Sequence, residues 1–301
     1  MILMRTVYFI GLLFIGLAFV PRPTPVLPEM ILVKGGPFML GDTAGDADER
    51  PAHRVVLRDF YIAKTEVTLA QFDTFIRATA YRTDAERGDG SYAWTPLGWN
   101  KKAGLNWRCD EKGTLRPAGS GEYPVLHVSW NDAARYCNWL SEKAGLQPVY
   151  LFGADSVSVG LLANGYRLPT EVEWEYAAAG GRERKPFIFS GSENLYEVAW
   201  YAGNARRGAH PVGLKKANAL GMFDCTGNVW EWCQDWYSGG YYAQTRDSLH
   251  ATGPETGTMR VVRGGSWSNN PKHCRLSNRS SRFMDARDCN LGFRVVRGLN
   301  Y

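Results

Sequence analysis

GMFDCTGNVWEW, at residues 221–232, opens a series of three phrases in the last third of the chain. RVVRGGSW at residues 260–267 and NLGFRVV at residues 290–296 follow it, and GYRLPTEVEWEYAAAGG at residues 165–181 precedes it. Glycine permits close backbone turns before strands. Neighbouring tryptophan and glutamate residues let one side chain fill a core while the other satisfies buried polar groups. The four phrases therefore indicate a scaffold.

The composition indicates an irregular, loop-rich α+β protein. The 301 residues are 45% hydrophobic and 13% aromatic, which is enough to fill a substantial core. The 33 Gly, 15 Pro and 11 Trp, with few long helical patterns, disfavour barrels and doubly wound sheets. The formal net charge is only +5 and no long basic run is present, so we do not expect the protein to bind nucleic acid.

Three helices are signalled by local sequence. Thr68, Ser129 and Thr170 each precede a helical pattern and have Gln, Asp or Glu three positions later, as in a capping box. The predicted helices are 68–80, 130–144 and 170–179.

Two apolar segments and two long loops complete the expected elements. Residues 31–40 and 55–63 predict opening strands that pair with each other. Residues 81–124 and 182–220 are irregular, and long loops in a compact domain are usually functional or disordered. These loops are expected to pack on the scaffold because they contain Trp94, Trp99, Trp107 and Trp200.

The N-terminus has the pattern of an export signal. Residues 1–20 combine Arg5, an apolar stretch and small residues at 16–18, which predicts a signal peptide; an uncleaved membrane anchor is the alternative. Prolines make residues 21–28 a stiff linker suited to tethering, and residues 29–301 are predicted to form one domain. The protein is therefore expected to be exported, as a periplasmic, extracellular or membrane-anchored chain.

Taken together, the four phrases resemble the formylglycine-generating enzyme family, also called the sulfatase-modifying factor family. YIAKTEVTLAQFDTF at residues 61–75 and YPVLHVSWNDAARYCNWLS at residues 123–141 extend the resemblance over nearly all of the mature chain. Several ordered phrases are more specific than any one motif. The resemblance implies an α+β fold of the irregular, loop-rich, C-type-lectin-like kind.

The same resemblance implies a calcium site in the GNVWEW segment. Its ligands here would be the carboxylates of Asp224 and Glu231 with the carbonyls of Gly227 and Val229, completed by waters or further backbone groups. Without the family resemblance, the spacing of these residues favours another interpretation, in which Asp224 caps a turn and Glu231 accepts hydrogen bonds from backbone amides.

Catalysis by the family's route requires a pair of sulfur ligands. Members that oxidise a sulfatase cysteine to formylglycine resemble one another in a GGS-aromatic phrase followed by two cysteines five residues apart, which bind copper(I). Counted forward from GGSW, those positions fall on Asn269 and Cys274. An amide binds copper(I) poorly, and one thiolate cannot form a two-sulfur site. The sequence therefore disfavours copper and leaves Cys274 as the only candidate catalytic residue.

The six cysteines are more consistent with structural roles. In an exported protein they allow up to three disulfides, and Cys274 is expected to be bonded to Cys289. The spacings contain no CxxC motif and the five histidines are scattered, so no zinc site is indicated.

Residues 268–290 offer a run of polar side chains between two strand-like phrases, which is how folds present binding loops. A solvated loop with turn-capping Asn and Ser is the alternative. The segment is also similar to the diversified face of the variable proteins of diversity-generating retroelements. The predicted ligand-binding residues are Trp267, Asn269, Asn270, His273, Arg275, Asn278, Arg279, Arg282, Asp285 and Arg287.

The favoured hypothesis is an exported module that binds a protein, peptide or glycan, or that acts as an accessory protein. One alternative is an oxidase of the formylglycine-generating family that acts on a protein or peptide substrate, either in sulfatase maturation with relocated ligands or in the modification of peptide natural products. A structural envelope protein is the other alternative.

Overall fold

The computed structural model describes residues 27–154, 156–160, 163–244 and 252–299. The predicted leader and residues 21–26 of the predicted linker lie outside these ranges. Within them, no helix has both the length and the apolar character needed to cross a membrane. Export and membrane anchoring stay predictions.

Short strands dominate the chain, with helices between them. The strands are β1 (Met30–Val33), β2 (Pro37–Leu40), β3 (His53–Val56), β4 (Phe60–Ala63), β5 (Ser91–Thr95), β6 (Gly98–Lys102), β7 (Tyr150–Phe152), β8 (Val157–Val159), β9 (Tyr166–Arg167), β10 (Trp230–Trp236), β11 (Met259–Arg263), β12 (Ser280–Phe283), β13 (Leu291–Gly292) and β14 (Val296–Gly298). The helices are α1 (Leu69–Thr79), α2 (Asp84–Arg87), α3 (Trp130–Lys143), α4 (Glu171–Ala179), α5 (Leu195–Val198) and α6 (Tyr241–Gln244). This is the α+β, loop-rich architecture that the composition predicts.

The described strands form two four-stranded sheets and three two-stranded ribbons. The terminal sheet has the order β1-β4-β14-β9 and joins the two ends of the described chain. The central sheet has the order β12-β11-β10-β13, in which β10 runs antiparallel to β11 and parallel to β13. The ribbons are β2-β3, β5-β6 and β7-β8.

The two opening segments pair as predicted, but each is divided into two strands. β1 pairs with β4 in the terminal sheet, whereas β2 and β3 form a separate ribbon. The prediction of two continuous strands is therefore wrong, and Gly35 supplies the reason. A Cβ atom added there would lie 2.3 Å from the Leu57 carbonyl oxygen, so the backbones approach too closely at this point to continue as a regular strand.

The three predicted helices are present with their predicted caps. Thr68, Ser129 and Thr170 each accept a hydrogen bond from the backbone amide three residues on, and the side chain of that residue reaches back to the cap in every case. Helix α4 ends at Gly180, whose φ of 107° lies in the left-handed region that glycine adopts without steric cost.

An aromatic core holds the helices against the last phrase of the sequence. Phe72 of α1 stacks on Tyr136 of α3 with ring centroids 5.9 Å apart, and both rings meet Phe293 edge to face. Such pairs contribute about 0.5–1.5 kcal/mol beyond the area they bury. The GFRV segment is thereby fixed beneath the helices, which positions the loops that follow GGSW.

Candidate functional site

Three tryptophans from distant parts of the chain meet on one side of the central sheet. The β5-β6 ribbon carries Trp94 and Trp99, whose ring centroids lie 5.3 Å apart, and each lies 6.5 Å from Trp267 of the GGSW phrase. A cavity of about 640 Å³ opens beside them. This tryptophan cavity falls within the range of sizes typical of small-ligand sites.

The lining of the tryptophan cavity combines aromatic and polar side chains. It consists of Trp94, Thr95, Pro96, Trp99, Ala202, Arg207, Trp230, Trp267, Ser268, Asn269, His273, Ser280, Arg282 and Asn290. Four of the ten predicted ligand-binding residues are among them, namely Trp267, Asn269, His273 and Arg282. A smaller space of about 250 Å³ adjoins it and shares Trp99, Arg282 and Asn290 with it.

Hydrogen bonds fix the polar floor of the cavity. The Ser266 hydroxyl donates to Oδ1 of Asn269 at 2.5 Å, and Nδ2 of Asn290 donates to the hydroxyls of Ser266 and Ser268 at 3.1 Å each. The indole N–H of Trp267 donates to the Cys289 carbonyl at 3.2 Å. Side chains held in this way present a preorganised surface, which reduces the entropy lost on binding.

The charged groups at the cavity are positive. They are Arg207 and Arg282, and the described lining of the cavity contains no Asp or Glu. Nε of Arg282 lies 3.4 Å from Oδ2 of Asp288, a residue that lines the adjoining space. Burial raises the pKa of Asp288, and the guanidinium of Arg282 opposes that rise.

Three other predicted ligand residues are committed to the interior. Arg275 binds both oxygens of the buried Glu49 at 2.6 and 2.8 Å, and Arg279 binds both oxygens of Glu171 at 2.8 Å. Asn278 is only 4% exposed and Arg279 only 6%. The prediction of a continuous polar surface over 268–290 is therefore corrected: these residues fasten the segment to α4 and to the loop before β3.

The remaining three predicted residues lie outside the tryptophan cavity. Arg287 donates to the Gly90 carbonyl at 2.7 Å and pairs with Asp89 at 2.6 Å. Asp285 lines a separate cavity. Asn270 is exposed and immediately precedes a short 3₁₀ segment. The structure therefore does not bring these three together with the other four.

Cys274 is buried behind the cavity floor and is not among its lining residues. A Cβ atom added to Gly265 would lie 2.8 Å from its sulfur, so the thiol packs directly against the GGSW backbone. Burial raises the pKa of Cys274 to about 12, which favours the thiol over the thiolate that binds metal.

The predicted bond between Cys274 and Cys289 is wrong. All six cysteines are free. Cys274 packs in an apolar cluster with Phe189 and Val198, whereas Cys289 packs in another with Trp267. The described members of the Cys274 cluster include no second cysteine. A two-thiolate copper(I) site therefore does not fit the surroundings of Cys274.

The predicted calcium ligands are only partly suited to a cation. Both oxygens of Glu231 bind Arg294 at 2.6 Å, and one also accepts from the Trp174 indole at 2.8 Å. Because Arg294 already neutralises it, Glu231 does not fit as a calcium ligand in this arrangement. Asp224 accepts from the Gly213 amide at 2.7 Å through Oδ2, and its buried Oδ1 has no partner.

A buried carboxylate that sequence reasoning missed lies near Asp224. Oε1 of Glu66 also has no partner, and burial followed by the charges of Asp224 and Glu231 raises the pKa of Glu66 well above its usual value. No group of three or more His, Cys, Asp or Glu side chains in the described ranges is arranged for a metal ion. The calcium prediction therefore depends on Asp224 together with the carbonyls of Gly227 and Val229.

Sequence reasoning missed Trp94, Trp99 and Arg207 as residues of the cavity. Trp94 and Trp99 were predicted only to pack their loop, and Arg207 lies in the other long loop. The convergence of Trp94 and Trp99 on Trp267 is a tertiary contact across more than 150 positions of the chain, which no local pattern records.

The chain is similar to known proteins over most of its length. The family model described as "Sulfatase-modifying factor enzyme 1-like domain" matches residues 18–299. The formylglycine-generating enzyme of Streptomyces coelicolor is 36% identical over 303 residues, covering 88% of this chain and 88% of that enzyme.

Two solved structures are similar to the whole described fold. Treponema denticola variable protein 1 has a TM-score of 0.71 at 28% identity, covering 90% of this chain and 95% of its own. PvdO from Pseudomonas aeruginosa has a TM-score of 0.69 at 27% identity, with the same coverage of 90% and 95%. The predicted fold class is confirmed by this similarity.

Proposed function

The chain belongs to the sulfatase-modifying factor family, and we propose that it uses the tryptophan cavity to bind a ligand without oxidising it by the family's copper route. The observation that carries this proposal is the cavity itself. Its floor is held by hydrogen bonds among Ser266, Ser268, Asn269 and Asn290, its walls are aromatic, and its described lining contains no cysteine.

The chemistry around Cys274 supports the same proposal. Copper(I) oxidation by the family's route needs two thiolates that the substrate can reach. Cys274 is buried, its pKa is raised, and Asn269 occupies the position of the other sulfur. A single buried thiol supplies only one of the two sulfur ligands, and a substrate cannot reach it.

We further propose that the ligand is a protein, peptide or glycan and that the protein is exported to the periplasm or cell surface, cleaved or anchored through residues 1–20. The apolar leader and the proline-rich linker support export. Variable proteins share the fold, which supports ligand binding as a role for this scaffold.

Binding is tested by probing immobilised protein with a glycan array and a peptide array. Trp99→Ala is expected to lose the signals that the wild type gives, because the exposed Trp99 ring lines the cavity. Tyr196→Ala is the matched control, since Tyr196 is 64% exposed and is not among the cavity's lining residues. Equal signals from the wild type and Trp99→Ala would place the binding elsewhere.

An oxidase remains the alternative function, and the 36% identity to a formylglycine-generating enzyme favours it. The test is to incubate the protein with a Cys-x-Pro-x-Arg peptide, copper and oxygen, and to measure the peptide mass. We expect the thiol to persist. Conversion of the cysteine to an aldehyde would replace the binding proposal with the oxidase.

A further inference from the structure

We propose that the tryptophan cavity takes an acidic peptide, in which a carboxylate lies next to an apolar side chain. This inference rests on the proposed binding function and specifies its ligand class. The observations that support it concern the charge at the cavity, the backbone conformation of Arg207, an exposed apolar rim, the elongated shape of the combined space and the hydrogen-bond donors in the lining.

The charge at the cavity favours an anion. Arg207, Arg282 and His273 line the cavity, and its described lining contains no carboxylate. Asp288 in the lining of the adjoining space is already paired with Arg282. Arg207 has no hydrogen bond or ion pair with any described residue, so its guanidinium is free to pair with a ligand. A guanidinium can bind a carboxylate through two parallel hydrogen bonds.

The backbone at Arg207 is in an uncommon conformation. Arg206 and Arg207 are both in the left-handed region, with φ of 52° and 64°. This conformation costs about 1–2 kcal/mol for each non-glycine residue. Strained backbone of this kind is found disproportionately at ligand-binding sites. The strained turn places Arg207 in the cavity lining, whereas Arg206 is not among the lining residues.

The rim beside the cavity is apolar and exposed. Trp99 is 43% exposed, and Leu97 at the turn of the β5-β6 ribbon is 93% exposed. A large apolar side chain that projects into solvent beside a cavity is poised to cover an apolar group of a ligand. The carboxylate site and the apolar rim therefore lie side by side.

The combined space is elongated, because the cavity and the adjoining 250 Å³ space share Trp99, Arg282 and Asn290. One wall is contributed by β12, an edge strand of the central sheet that carries Ser280 and Arg282. An edge strand can pair with an extended peptide through main-chain hydrogen bonds.

Two cationic groups at the cavity favour a ligand that carries a carboxylate over a neutral glycan. The guanidinium groups of Arg207 and Arg282 only donate hydrogen bonds and cannot accept them. Such donors suit a carboxylate and the carbonyls of an extended chain.

The experiment is a selection from a phage-displayed random heptapeptide library against the wild type, Arg207→Glu and Arg206→Glu. Arg206 is the matched control because it is adjacent, exposed and equally left-handed but does not line the cavity. We expect Asp or Glu beside an apolar residue to be enriched by the wild type and by Arg206→Glu, and not by Arg207→Glu. Enrichment of neutral or basic peptides by the wild type would overturn the inference, as would the same acidic enrichment by all three proteins.

A peptide from the enriched pool is then synthesised with its acidic residue intact or changed to the matching amide. Quenching of tryptophan fluorescence is expected to give a Kd at least tenfold weaker for the amide, and the difference should shrink as salt is raised. Equal affinity for both peptides would refute the carboxylate contact.

The outcomes separate this inference from the function on which it rests. Neutral glycans, neutral peptides and oligogalacturonate, an acidic glycan, serve as the comparison ligands. If these bind in place of acidic peptides and Trp99→Ala abolishes their binding, the cavity binds ligands but the inference of an acidic peptide is wrong. If no library peptide and no glycan binds while the copper incubation yields an aldehyde, both proposals fail.

Discussion

Arg294→Met is expected to lower the free energy of unfolding by about 3–5 kcal/mol, the cost of breaking a buried ion pair. Arg294 and Glu231 are both fully buried, and two hydrogen bonds of 2.6 Å join them. The same guanidinium donates to the carbonyls of Ala63 at 3.1 Å and Phe223 at 3.0 Å. The variant therefore leaves a buried carboxylate without its counter-charge and backbone acceptors without their donor.

Urea unfolding followed by circular dichroism measures the change. Lys216→Met is the control: the Lys216–Glu197 pair is solvent-exposed, with side chains 58% and 43% accessible, and should contribute less than about 1 kcal/mol. The double variant Glu231→Leu/Arg294→Met should cost less than Arg294→Met alone, since it leaves no uncompensated charge.

Two results would refute this reasoning. One is a decrease in the free energy of unfolding for Arg294→Met that is no larger than the decrease for Lys216→Met. The other is a double variant as unstable as the single one. If Arg294→Met does not fold, Arg294→Lys keeps the charge with fewer donors and should lie between the wild type and complete loss of structure.

Three further predictions concern buried groups. Burial lowers the pKa of His127 to about 4 in the folded protein. Between about pH 6.5 and 4 the imidazole is therefore protonated in the unfolded chain but not in the folded one, so the free energy of unfolding should fall by up to about 3 kcal/mol over that range. His127→Asn, which tolerates the positive φ at this position, should show a shallower pH dependence, and an unchanged slope in urea titrations would contradict this. The buried, protonated Cys274 should resist Ellman's reagent at pH 8 in the native protein and react fully in urea, whereas rapid native labelling of this residue in mass mapping would contradict its placement. Calcium added after chelation should raise the melting temperature of the wild type and not of Asp224→Asn, and a wild-type melt that does not respond would remove the site.

Local features of the fold could be predicted from sequence because their causes are local. Thr68, Ser129 and Thr170 lie three residues from the side chains that complete their capping boxes, so the helix starts are recorded within four positions of sequence. The break at Gly35 depends instead on the carbonyl of Leu57 in another segment. For that reason the sequence alone predicts the opening strands to be continuous.

The prediction of a continuous polar surface over residues 268–290 fails for the same physical reason. Arg279 pairs with Glu171, which lies 108 positions away in the chain, and Arg275 pairs with Glu49, which lies 226 positions away. The sequence shows that these side chains are charged, but it does not show that a buried carboxylate lies beside each of them in the fold. Trp267 ends the GGSW phrase, and Asn269 and His273 lie within six residues after it, so the phrase marks all three. Arg207 has no such marker.

The terminal sheet links the two ends of the described chain through one strand. β4 is flanked by β1 on one side and by β14 on the other, with Ile62 opposite both Ile31 and Val296. During synthesis this sheet cannot close until residues 296–298 have left the ribosome, and contacts so distant in sequence form late in folding. The terminal sheet is therefore among the last parts of the fold to be completed, and a variant that lacks residues 296–298 would leave β4 without one of its two neighbours.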